Sequence, residues 1–139
     1  MAKSKKKADY ELMMVAFEDL TRNQKLAVIN FLSVIAASNE KSKISKIQRS
    51  FISQYYKEFG ITGDQFLTYI SIDGRKRTIA DLKSLTKSNF QDLVFTTTEL
   101  CVCDGELSED EFSALMKWLD DLGMSADEWN DYLENPQIY

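Results

Sequence analysis

Residues 45–62 read SKIQRSFISQYYKEFGIT, and residues 108–125 read SEDEFSALMKWLDDLGMS. Each stretch opens on a Ser that is followed three residues later by Gln48 or Glu111. This is the capping-box pattern, in which a hydroxyl and a longer polar side chain satisfy the free amides of a helix's first turn. Apolar residues then recur at spacings of three and four: Phe51, Ile52, Tyr55, Tyr56 and Phe59 in the first stretch, Leu115, Trp118, Leu119 and Leu122 in the second. That period gives an amphipathic helix with one buried stripe. Gly60 and Gly123 close the two stretches, as glycine does where a helix ends in a left-handed cap.

Working outward, the same start signal recurs at Thr21-Gln24, Thr62-Gln65 and Ser125-Glu128. With the apolar periods it predicts helices near 9–19, 22–39, 45–59, 62–72, 78–85, 88–103, 108–122 and 125–134. Asp73-Gly74 reads as a turn before a basic loop, and Pro136 ends the last helix. Alternating apolar and polar runs are absent, and one Pro and five Gly in 139 residues leave little loop punctuation. The expected fold is all-α, a single helical domain of seven to eight helices over residues 9–139, behind a disordered basic tail at 1–8.

Setting Gly60 over Gly123 superposes, without a gap, Ser45 on Ser108, Asp64 on Asp127 and Tyr69 on Tyr132. The apolar frame follows the same offset, with Ile52 on Leu115, Tyr55 on Trp118, Phe59 on Leu122 and Phe66 on Trp129. Three helices and two loops in one register imply duplication, and hence two pseudosymmetric halves at about 26–72 and 89–135.

Composition bounds the function. Hydrophobic residues at 44% and charged residues at 28% describe a globular chain. No run of apolar residues is long enough to span a bilayer and no signal-peptide core follows the N-terminus, so the expectation is a cytoplasmic protein without membrane insertion. The sequence holds no His. That removes the commonest general base and the usual nitrogen ligand of zinc, and makes a non-enzymatic protein the expectation. An enzyme would need paired carboxylates in an apolar cleft with one pKa raised. Cys101 and Cys103, two apart on a helix, diverge too far to pair with each other. The aromatic residues Tyr55, Tyr56, Phe59, Trp118 and Trp129 fall at helical spacing and read as core.

Charge is unevenly spread. Residues 104–134 hold eleven acids against Lys117 alone, a net −10, so the rest of this −5 chain carries +5. The positive share sits in Lys3 to Lys7, in Lys41, Lys43, Lys46 and Arg49, and in Arg75-Lys76-Arg77. An acidic chain of this kind is no dedicated nucleic-acid binder.

The loop at 104–111 reads DGELSEDE, where its counterpart at 41–48 reads KSKISKIQ. Its carboxylates are hard oxygen donors suited to Ca²⁺ or Mg²⁺, and Gly105 permits a sharp turn. An EF-hand is excluded, because Leu100 and Val102 would stand at its first and third ligand positions. Helix capping explains most of the loop equally: Ser108 caps, and Glu109, Asp110 and Glu111 suit the positive end of a helix dipole.

A long helix running into Asp104-Gly105-Glu106-Leu107-Ser108-x-x-Glu111, followed by a helix closing at Leu122-Gly123-Met124-Ser125, resembles the TerB-like family of tellurite-resistance proteins. The resemblance is better over about 90–134 than over 26–72. It implies an all-helical bacterial protein with two related halves, a stress-linked role, and a divalent-cation site at Asp104, Glu106 and Glu111. The departure lies in the first half, where Lys41, Lys43 and Gln48 replace the acids, and its positive loop is able to stand in for the cation by pairing with the acidic one. The reading is thus a binding module with a degenerate Ca²⁺ or Mg²⁺ site. Its alternative is a metal-independent interaction domain that docks a basic protein partner through the acidic C-terminal half.

Overall fold

A computed structural model describes residues 17–38, 44–103 and 108–134. Among these residues it holds seven helices and no strand: α1 (Arg22–Ala36), α2 (Lys46–Phe59), α3 (Gly63–Ile70), α4 (Gly74–Lys83), α5 (Lys87–Val102), α6 (Glu109–Leu122) and α7 (Ala126–Glu134). They share a single core.

The helix with the longest unbroken buried run is the central one. Leu26 through Leu32 are buried without interruption, which a helix allows only when neighbours cover it on every side. α2, α3, α4, α5 and α6 all pack on α1, and α7 closes against α5. The one polar residue of that run, Asn30, donates its amide to Thr78 Oγ at 2.9 Å, and Thr78 Oγ donates to Gly74 O at 2.7 Å. A buried amide is tolerated there because its proton has a partner. Phe31 meets Trp118 edge to face at 5.3 Å between ring centres, joining α1 to α6.

The start and stop signals act as their chemistry requires. Thr21, Thr62 and Ser108 form complete capping boxes with Gln24, Gln65 and Glu111, and Ser125 with Glu128 makes the same reciprocal bonds. Gly60 and Gly123 take φ of 65° and 72°, where a β-carbon is strained. The bounds of α6 lie 63 residues beyond those of α2, the separation that also divides Gln48 from Glu111, and α7 starts at the same distance after α3.

The helix expected at 9–19 falls largely outside the described residues, and its last three, 17–19, are not helical. Phe17 instead packs edge-on against Tyr55 and Phe59, while Asn89 bonds both the N–H and the C=O of Glu18. The basic tail expected at 1–8 and the Pro136 stop also lie outside the described residues. α1 ends at Ala36 rather than at 39, with Ala37 N–H bonded back to Ser33 O. The larger correction concerns Arg75-Lys76-Arg77. They are the first turn of α4, which begins at Gly74 and not at 78. Asp73, at φ 50°, makes the turn, and Gly74 sits where a β-carbon would approach Ile70 Cβ at 3.1 Å, so the chain re-enters a helix within one residue. Arg75 then pairs with Asp121 and lies over the Trp118 ring at 4.2 Å, and Arg77 bonds Tyr69 O. Two of the three cations are held by the fold.

Candidate functional site

Of the three acids named as metal ligands, Asp104 and Glu106 lie outside the described residues, as do Lys41 and Lys43. Glu111 is described, and it is buried at 6% exposure. As the third residue of α6 it completes the capping box: Oε1 accepts from Ser108 N–H at 3.4 Å and from Ser108 Oγ at 2.9 Å, while Glu111 N–H donates to Ser108 Oγ at 3.1 Å. Its other oxygen, Oε2, accepts from Gln48 Nε2 at 2.8 Å. Both oxygens of this carboxylate are therefore committed to donors of the chain itself.

Gln48 is the residue whose role the sequence pattern misreads. Ser45 caps α2 and bonds Gln48 N–H at 3.2 Å, as predicted, but the Gln48 side chain does not turn back to Ser45. It is 2% exposed and spans the helix packing, donating to Leu100 O at 3.2 Å as well as to Glu111. The partners are two residues that the 63-residue offset superposes, brought into one buried contact. A signal for it was present: two equivalent cap residues, one acidic and one an uncharged donor, are complementary to each other. A carboxylate at both positions would set two acceptors face to face, one of them also against Leu100 O, with no proton between them, and an amide at position 48 supplies that proton. The donor set thus does not suit a cation at Glu111 while Gln48 holds it. Among the described residues, no three acidic or thiol side chains come together to hold a metal.

Concave surfaces among the described residues lie along α2 and on two sides of α6. An open groove of about 480 Å³ runs between α1, α4 and α6, lined by Arg75, Asp110, Ser113, Lys117 and Trp118. Trp118 Nε1 is buried without a hydrogen-bond partner. A second open groove, about 360 Å³, is lined along α2 by Ile47, Ser50, Phe51 and Gln54. Those four are the counterparts, at the same offset, of Asp110, Ser113, Ala114 and Lys117 in the first groove. The third surface is a more enclosed cavity of about 220 Å³ between α5, α6 and α7, with Thr97, Cys101, Phe112, Met116, Trp129 and Leu133 among its walls.

Titration of the described groups adds little chemistry. Asp92 on α5 is pushed up to about 6, first by burial and then by the charge of Glu18. It lines none of the three surfaces. Burial, and then the hydrogen bond to Asp81 at 2.6 Å, raise the Tyr69 hydroxyl above its ordinary value. Cys101 is buried and Cys103 half-buried, and no disulfide joins them. None of the described helices is long and apolar enough to cross a membrane. No protein-family model, no curated protein and no solved structure matches the chain.

Proposed function

We propose that this chain is a non-enzymatic, cytoplasmic interaction domain of TerB-like kind, built from two duplicated halves, whose acidic C-terminal half docks a basic protein partner without a metal. One observation carries the choice: Gln48 Nε2 occupies Glu111 Oε2 at 2.8 Å in a buried position. A neutral donor from the first half thereby meets the acid of the second, which is what a cation would otherwise do. Duplication is supported by the matched bounds of α2 and α6, by the paired glycine caps, and by two grooves that use equivalent positions. The exposed acids of α6 and α7, Glu109, Asp110, Asp120, Asp127, Asp131 and Glu134 among them, favour a partner over an ion.

The second reading keeps a weak Ca²⁺ or Mg²⁺ site at Asp104, Glu106 and Glu111, in a stress-linked role. It is favoured by the density of hard oxygens in that loop, and it requires Glu111 to exchange Gln48 for the ion.

Capture of binding proteins on the immobilised chain separates the two. A docking surface retains a basic protein in EDTA and releases it as salt rises from about 50 mM to about 500 mM, where the screening length shrinks severalfold. Capture that needs Ca²⁺ and persists at high salt would overturn the proposal.

A further inference from the structure

The cavity between α5, α6 and α7 differs from the two open grooves in both shape and chemistry. At about 220 Å³ it falls below the roughly 300–1,000 Å³ of small-molecule sites and matches one or two apolar side chains. Its hydroxyls are turned away from it, since Thr97 Oγ donates to Leu93 O at 2.7 Å and Thr98 Oγ to Val94 O at 2.9 Å. An occupant finds carbon and sulfur on most sides and few groups to hydrogen-bond. At the mouth, Phe112 and Val102 are 49% and 45% exposed, an apolar lip that a folded domain ordinarily covers or uses.

The charge around that mouth is of one sign. Glu109 lies one turn before Phe112 on α6, and Asp127, Asp131 and Glu134 are exposed on α7. Among the described residues no Lys or Arg lines the cavity, and α7 carries none. The sole cation of α6, Lys117, faces the opposite groove beside Asp110 and Trp118. An apolar socket in an acidic rim selects a ligand that pairs a bulky apolar group with positive charge. An amphipathic helix meets that description by placing lysines or arginines one turn either side of a Leu, Ile or Phe.

We propose that this cavity is the anchor site of the docking surface, and that its occupant is a basic amphipathic helix of a partner protein seated through one large apolar side chain. The inference rests on the interaction-domain reading and specifies the partner's chemistry. Acids at the rim set the approach and the orientation, and the buried anchor sets the residence time.

The test uses the full chain and three synthetic peptides: a lysine-rich amphipathic helix with a single Leu anchor, the same helix with Leu→Ala, and the Leu helix with every Lys replaced by Glu. Binding is followed by fluorescence anisotropy and by the two indole N–H resonances in ¹⁵N spectra. The expected order is the Leu peptide, then the Ala peptide at least about tenfold weaker from the lost burial, with the Glu peptide not binding. The Trp129 indole shifts on binding, and Trp118, on the far groove, does not. Ala126→Phe plugs the cavity from an exposed position at the start of α7. It should weaken the Leu peptide about tenfold and leave the Ala peptide unchanged, with thermal unfolding as the check on fold. Phe112→Ala, at the lip, provides an independent second variant. If the Leu and Ala peptides bind alike and neither variant matters, the anchor site is refuted while the acidic docking surface stands. Should no basic peptide bind at low salt, both fail. Concentration-dependent self-association abolished by Ala126→Phe would instead make a second copy of the chain the occupant, and would overturn the partner proposed.

Discussion

Gln48→Glu tests the buried contact between α2 and α6 at the level of single atoms. The substitution keeps the shape of the side chain and replaces its donor with a carboxylate oxygen 2.8 Å from Glu111 Oε2 and 3.2 Å from Leu100 O. Two donated hydrogen bonds disappear, one of them to a charged acceptor, and two acids face each other at a site where the wild-type residues are 2% and 6% exposed. Losing the bonds costs about 2–4 kcal/mol. Adding two ionised carboxylates at that distance would cost several kcal/mol more, so one of them takes up a proton instead, which limits the total to about 3–5 kcal/mol. That is a lowering of Tm by on the order of 15 °C for a domain of this size. The sign with pH follows from linkage. A carboxyl whose folded pKa is raised above the unfolded value contributes stability below the unfolded value, and this is lost as pH rises through the folded one. The deficit of the variant is therefore largest at neutral pH and shrinks toward pH 4. Urea unfolding at pH 4, 5.5 and 7 reads this directly. Adding Glu111→Gln to Gln48→Glu places a donor opposite the new acid and recovers part of the loss, though Leu100 O remains without its partner. A Gln48→Glu variant within about 1 kcal/mol of wild type at all three pH values would refute the contact.

Further predictions concern other parts of the same fold. Thr78→Val leaves the Asn30 amide without its acceptor in the core and costs about 1–3 kcal/mol by denaturant titration, most of it recovered when Asn30→Leu is added. Gly60→Ala and Gly123→Ala each force a β-carbon into a left-handed cap, at φ 65° and 72°, in otherwise open space. Each should lower stability by about 1 kcal/mol, and the two losses should add because the caps are separate. Asp92, pushed up to about 6 by burial and then by Glu18, is charged at pH 7 against its surroundings. Asp92→Asn accordingly raises Tm at pH 7 and has little effect at pH 4, where the wild-type side chain is already protonated.

How far the sequence carried the account varies by element. α2 and α6 were legible almost to the residue, because cap, period and glycine stop all agreed, and agreement across levels is what specifies a segment. The N-terminus of α4 was not. Asp73-Gly74 reads as a turn, and it is one, but nothing in the local pattern says that a helix resumes at once. The resumed helix is held by Arg75 pairing with Asp121 and by Thr78 bonding Asn30, contacts across 46 and 48 residues that no local pattern shows. The apolar frame of the repeat predicted which faces are buried, from Ile52 and Tyr55 to Leu115 and Trp118. The offset paired Gln48 with Glu111, but sequence comparison takes superposed residues as equivalents and is silent on whether they touch. Their contact is a property of how α2 packs beside α5 and α6.

Whether Gln48 serves at Glu111 in place of a cation is read by calorimetric titration of the metal-free protein with Ca²⁺ and with Mg²⁺, on wild type and on Glu111→Gln. No saturable heat is expected up to about millimolar ion in either protein. A stoichiometric heat in wild type that Glu111→Gln removes would contradict that expectation and place a cation among Asp104, Glu106 and Glu111.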